Sequence, residues 1–427
     1  MMETMERNTA AILKKPGSIA IEEAPMPQPG PGELLIRVAS VGICGSDIHA
    51  FRYGPYIPPK DPNQRIGLGH EFSGVVVAVG PGVSVPLVPV PRVLVPRVPE
   101  EDGTGHGSKD AGATGSLAGA AHMAEDDRGI ARPVAGAAKA AGAAHRADVD
   151  RAGHNFRVGD RVLCEPGVPC GNCEFCRSGR YNLCWEMDFM ATQPRYRGAL
   201  TDYLVHPARF TYHLPDDMDF TQGALVEPAA VGMHAAKLAG VAPGVKVCIL
   251  GAGCIGLMTL QACILLGADG ALVSDVIPGR LAMARRFGAA MAVDGKDPDA
   301  QGQMMSFFDG QGADVVFETA GSPATAALAL RLVKRGGQVM VVGTIPGETP
   351  VEFLKINREV SVRTVFRYAG EFPQTIDAIH TGAFDVNSMV TRTYGYEEAQ
   401  RAFDEAVQDK DHIIKSVVHM PGFAADR

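Results

Sequence analysis

Five of the nine cysteines fall in CEPGVPCGNCEFCRSGRYNLC, residues 164–184. Four of them, Cys170-x2-Cys173-x2-Cys176-x7-Cys184, have the close spacing at which thiolates close a tetrahedron around zinc. Such a site has no open position and is structural. An iron–sulfur cluster is the rival, because the first three spacings suit one. The long final gap and the absent Cys-Pro ending count against it. Free thiols are the remaining reading. Cys164 precedes the run at a strand end and reads as a small packed residue. A second set is dispersed: Cys44 in GICGSD, His70 and Glu71 in GLGHEFSG, and Glu227 in LVEPAAVG. One thiolate, one imidazole and one carboxylate leave a coordination position open, as a catalytic zinc requires. Spacing alone does not make this a site. A His-Glu pair before a strand is commonly a surface turn, and a lone cysteine is commonly buried filler.

A third group binds rather than reacts. GAGCIG places Gly251, Gly253 and Gly256 in a G-x-G-x-x-G pattern, with Cys254 and Ile255 opening the helix that follows. The first glycine allows the tight turn, the second the approach of a pyrophosphate, the third the packing of helix on strand. Asp275 ends the next strand and suits a ribose 2′-hydroxyl, which favours NAD over NADP. Arg280 weakens that preference, because a nearby arginine could serve a 2′-phosphate.

These residues need elements to hold them. ELLIRVASVG (33–42), EFSGVVVAVG (71–80) and NFRVGDRVLCEPG (155–167) read as strands and turns. From about residue 245 strand and helix alternate: KVCILGAG, then CIGLMTLQACILLGA, ALVSD, IPGRLAMARRFGA, ADVVFETAG, SPATAALALRLVKRGG and QVMVVGT. That rhythm predicts an α/β fold with a doubly wound parallel sheet. The end (371–418) returns to mixed helix and strand. Between Pro86 and Gly153 there is no Phe, Tyr, Trp or Cys. That segment, 84–154, reads as a disordered insertion, with translated non-coding sequence as an explanation. The 427 residues leave room for two domains. A net charge of −8 gives no pull toward nucleic acid or anionic lipid. No apolar run is long enough for a membrane span. A soluble, cytoplasmic protein is expected, with cysteines used for metal or thiol chemistry rather than disulfides.

GHEFSGVVVAVGPGV (69–83) resembles the signature of zinc-containing alcohol dehydrogenases of the medium-chain superfamily. GICGSDIH, the four-cysteine run, EPAAVGMHA, GAGCIG and VFRY follow in the family's order. Within that family the chain is most similar to NAD-dependent polyol dehydrogenases acting on sorbitol, xylitol or L-arabinitol. The resemblance covers nearly everything outside residues 84–154. It implies a GroES-like, β-rich catalytic domain over 1–226, a Rossmann NAD-binding domain over 227–366, and a return to the catalytic domain over 367–427. It implies one catalytic zinc on Cys44, His70 and Glu71, and one structural zinc on Cys170, Cys173, Cys176 and Cys184. Glu227 would hold the zinc-bound water or approach the metal. Ser46 and His49 would carry the departing proton, or water and Glu227 would. On residue type alone these two read as a turn-capping serine and a surface histidine. Arg367 and Tyr368 would hold polyol hydroxyls. Val342, Gly343, Thr344, Val365, Phe366 and Arg367 would meet the cofactor.

The implied reaction is hydride transfer from a secondary alcohol to NAD, with the alcohol's ionisation promoted by a Lewis acid. A small-molecule polyol is the expected partner, in a homo-oligomer, tetramer rather than dimer. One departure concerns the residue after the relay histidine, usually tyrosine in sorbitol dehydrogenases and Ala50 here. Alternatives are a zinc dehydrogenase of the butanediol or threonine type, or a catalytically inactive NAD-binding protein.

Overall fold

ELLIRVASVG forms the strand Glu33–Gly42, buried along almost its whole length. The reason is its place. It pairs with Glu71–Val79, with Tyr203–Pro207 and with Lys415–His419, all antiparallel. A strand bordered on both edges and covered on both faces has no solvent side, so its apolar residues run on instead of alternating. In this computed structural model residues 7–83, 155–192 and 194–423 are described. The expected insertion over 84–154 lies outside them.

The sheet runs in the spatial order Thr211–His213, Arg161–Cys164, Glu71–Val79, Glu33–Gly42, Lys415–His419, Val390–Gly395. Its core gathers Ile36, Val38, Phe72, Val76, Phe156 and Val162 with Phe403 and Val418 from far down the chain. A smaller sheet of Ser18–Ala24, Asn8–Lys15 and Ile66–Gly67 stands beside it.

The second large sheet is wholly parallel. Its spatial order is Met291–Asp294, Ala271–Asp275, Val247–Leu250, Ala313–Glu318, Val333–Val341, Ser361–Thr364. Counted in chain order this is 3-2-1-4-5-6, the Rossmann order. The order in which strands are added reverses at Val247–Leu250, and the glycine loop leaves from the end of that strand. The α/β fold expected from the sequence, a GroES-like β-rich part with a Rossmann sheet, is the one observed. One helical reading ran too far. SPATAALALRLVKRGG is helical only over Pro323–Leu332, and Val333 already pairs with Ala313 in the sheet. A β-branched residue and two glycines after Leu332 favour extended chain over another turn.

Helix Phe220–Leu238 runs across the expected 226/227 boundary without a break. Asp219 caps it: its carboxylate accepts from the Gln222 amide, and Gln222 returns a contact to the Asp219 amide. It lies against Cys254–Leu265 so closely that a Cβ on Gly232 would come within 2.6 Å of the Met258 backbone. Among the described residues no helix is long and apolar enough to cross a membrane.

Candidate active site and metal centres

Cys44 precedes helix Gly45–Tyr53 in extended conformation. Asp47, in the first turn, accepts from the Cys44 amide at 3.1 Å and from the Gly69 amide at 2.9 Å. One buried carboxylate thus ties the cysteine loop to the histidine loop. It also faces His70, with Oδ2 3.7 Å from Nδ1. Glu71 is the first residue of the next strand, opposite Gly42, where any Cβ would collide with its carboxylate. The Cys44 sulfur and ligand atoms of His70 and Glu71 lie within 4.8 Å of one another.

The electrostatics favour a cation there. Burial opposes charging His70, yet Asp47, Cys44 and Glu227 together hold its pKa well above the ordinary value. Burial pushes Glu227 up to about 7, against the pull of His70. A thiol, an imidazole and a carboxylate set among further acids form a donor set that suits zinc, with Asp47 as the group that orients the histidine. Lys415 supplies part of the balancing charge. Its ammonium is 3% exposed, donates to Glu71 Oε1 at 2.6 Å and to the Ile43 carbonyl at 2.9 Å.

Glu227 sits in helix Phe220–Leu238 just before Pro228 and accepts at 2.8 Å from the Tyr368 hydroxyl. Arg367 lies with its guanidinium 3.8 Å over the Phe189 ring, and burial lowers its pKa to about 10. Phe189 in turn flanks His70, ring centres 5.4 Å apart. Arg367 has φ +52°, a left-handed conformation that costs a non-glycine residue about 1–2 kcal/mol.

Ser46 and His49 are three residues apart on one helix and share a face. His49 stacks on Tyr56 at 3.7 Å, and the Tyr56 hydroxyl bonds Thr344, which belongs to the parallel-sheet half. Ala50 turns into the core. The position that differs from sorbitol dehydrogenases is therefore filled by packing, and two tyrosines, Tyr53 and Tyr56, flank the histidine instead.

Gly251 has φ +109°, and a Cβ there would meet the Ala320 amide at 2.7 Å. Gly256 allows the helix to press on the Gly251 carbonyl. Gly253 caps the helix that begins with Cys254 and Ile255. Asp275 accepts from the Ala252 amide at 2.7 Å and the Ile277 amide at 2.9 Å, which fixes its carboxylate beside the loop. Arg280 is tied to the Lys410 and Ile413 carbonyls. Val342 and Gly343 donate to the Glu318 carbonyl, and Val365 to the Val341 carbonyl. Phe366 is half exposed. A cavity of about 280 Å³ joins the two chemistries, lined by Cys44 and Glu71 on one side and by Gly253, Cys254, Ile255 and Arg280 on the other.

The four cysteines of the lobe also converge, with their sulfurs within 4.8 Å. Cys173 and Cys176 are 3.5 Å apart, and Cys170 and Cys176 3.9 Å. A zinc tetrahedron with bonds of about 2.3 Å has edges of about 3.8 Å, so the set fits that ion. Cys164 is packed in the core.

Asp47, Tyr56, Phe189 and Lys415 are the residues that the sequence alone missed. DIHA offered the acid beside the candidate relay histidine His49, and HIIKSVVH a lysine flanked by apolar residues. Neither pattern names its partner.

Residues 254–381 match the family described as zinc-binding dehydrogenase, and 30–126 and 121–216 the alcohol dehydrogenase GroES-like domain. The chain is 49% identical to an uncharacterized zinc-type alcohol dehydrogenase-like protein, YdjJ, of Escherichia coli, over 96% of this chain and 99% of that one. It is 32% identical to sorbitol dehydrogenase of Bacillus subtilis, over 98% and 99%. Among solved structures it is similar to an Escherichia coli oxidoreductase/dehydrogenase of unknown specificity. The TM-score is 0.79 at 49% identity, over 97% of this chain and 99% of that one. Converging ligands, a glycine loop on a parallel sheet and full-length relatives give one conclusion: the chain is an oxidoreductase that belongs to the zinc-type medium-chain alcohol dehydrogenase family.

Proposed function

We propose that the protein oxidises a secondary hydroxyl of a polyol to a ketone by hydride transfer to NAD. The observation that carries this is the cavity in which Cys44 and Glu71 face the glycine loop, with Glu227, Arg367 and Tyr368 close to the same carboxylate cluster. Zinc on Cys44, His70 and Glu71 would supply the Lewis acidity that lets an alcohol ionise near neutral pH. Asp47 orients His70, and Lys415 donates to Glu71 and holds its carboxylate in place. Arg367 offers donors to further hydroxyls, and the Tyr368 oxygen, whose proton goes to Glu227, offers an acceptor. That arrangement suits a polyhydroxylated substrate better than ethanol, because a site built to bond hydroxyls leaves its own groups unpaired when they are missing. The helix N-terminus at Gly253 would offer its free amides to a pyrophosphate. NAD is supported over NADP by the fixed Asp275 carboxylate and by Arg280, already held by backbone carbonyls.

The test is NADH formation against sorbitol, xylitol, L-arabinitol, ribitol, 2,3-butanediol, threonine and ethanol, each with NAD and NADP, with and without a zinc chelator. Chelator-sensitive, NAD-linked turnover of a polyol is expected, and Cys44→Ser abolishes it while NAD still binds. Turnover of 2,3-butanediol or threonine alone would replace the polyol assignment.

A further inference from the structure

The four-cysteine lobe reaches further than its own shape. Its turn Tyr181–Leu183 lies just before Cys184. The Asn182 side-chain amide donates to the Phe366 carbonyl at 2.8 Å, and Asn182 is buried. The Tyr181 hydroxyl accepts from the Gly370 amide at 2.6 Å. These two bonds grip both ends of a segment whose middle is Arg367 and Tyr368. Within it Arg367 is left-handed and Tyr368 bonds Glu227. Tyr181 is fixed from behind by the buried Glu165 carboxylate, which also accepts from Tyr212 at 3.2 Å. A left-handed arginine persists only where its surroundings over-determine it. Here the lobe does so.

We infer that Tyr181 and Asn182 are positioning residues for substrate recognition: the lobe clamps residues 366–370 and thereby aims Arg367 and Tyr368. This rests on the proposed role of that pair in holding hydroxyls. The clamp itself is independent of which substrate is used.

Two variants test it. Asn182→Ala removes the donor to Phe366, and Tyr181→Phe keeps the ring while removing the oxygen that Gly370 uses. In both, hydrogen–deuterium exchange of the peptide covering 366–371 accelerates at an unchanged thermal midpoint. KM for the oxidised substrate rises about tenfold, the effect of one lost hydrogen bond, with kcat within about twofold. Unchanged exchange over 366–371 in both variants would overturn the clamp. Faster exchange with KM unmoved would overturn its role in recognition. Wild-type protein inactive on every polyol would remove the polyol reading and leave exchange to decide the clamp.

Discussion

Lys415 and Glu71 are both almost wholly buried and bonded at 2.6 Å. Breaking such a pair from one side strands a charge in low dielectric and costs about 3–5 kcal/mol. An exposed pair is worth about 0–1 kcal/mol. Lys246 and Asp309 form one, 3.3 Å apart. Lys415→Met is therefore expected to lower stability several-fold more than Lys246→Met, measured by chemical denaturation in the presence of chelator. Equal losses would mean that Glu71 has another way to balance its charge. Cys44, His70, Glu71 and Glu227 could be singled out in the sequence only because the short patterns around them resemble a family; their spacing alone did not make a site. Lys415 could not, because its partner is 344 positions away and only sheet pairing brings the two together. Phe189 and Tyr56 were hidden for the same reason: an aromatic residue in a loop carries no local sign of the ring or hydroxyl it will meet.

At the scale of elements, Glu165 ends the run of strand Arg161–Cys164 and binds two others, through Tyr212 of strand Thr211–His213 and Tyr181 of the lobe's turn. Burial raises its pKa to about 7. Between the unfolded value near 4.5 and about 7 the folded chain holds more proton than the unfolded one. Stability from this group is therefore present at low pH and lost as pH rises through that window, by up to about 1.4 kcal/mol per unit. Glu165→Gln should remove the slope, so that its stability relative to wild type improves from pH 5 to pH 8. Parallel denaturation curves across that range would show Glu165 ionised throughout. The elements themselves were largely legible. Strands flanked by glycine and proline and helices with apolar stripes declare themselves locally. The tail of SPATAALALRLVKRGG did not, because a parallel sheet that needed another residue at its start overrode a weak helical preference.

For the whole molecule, strands Glu71–Val79 and Arg161–Cys164 are direct neighbours, with Ser73 opposite Leu163 and Val75 opposite Arg161. Val83 and Phe156, near the two ends of the connection between them, are both buried in the core. Closing a connection costs free energy only as the logarithm of its length, about 0.6 kcal/mol per doubling. A protein lacking residues 85–153 is expected to fold and to match the full chain's metal content and turnover on the same substrates. Loss of soluble protein on deletion would show that the segment supports the sheet.

The pairing of Glu33–Gly42 with Lys415–His419 also sets a clock. At about 5–20 residues per second, the 344 positions separating Glu71 from Lys415 take roughly 20–70 s to synthesise. Throughout that interval the growing chain carries Glu71 without its ammonium, and the Ser40–Gly42 end of its central strand lacks a neighbour on one edge. The pocket lined by Cys44, Glu71 and Lys415 is thus among the last parts of the molecule to close. A ribosome that stalls within that interval leaves an open strand edge, able to pair with another chain before its own last strand arrives.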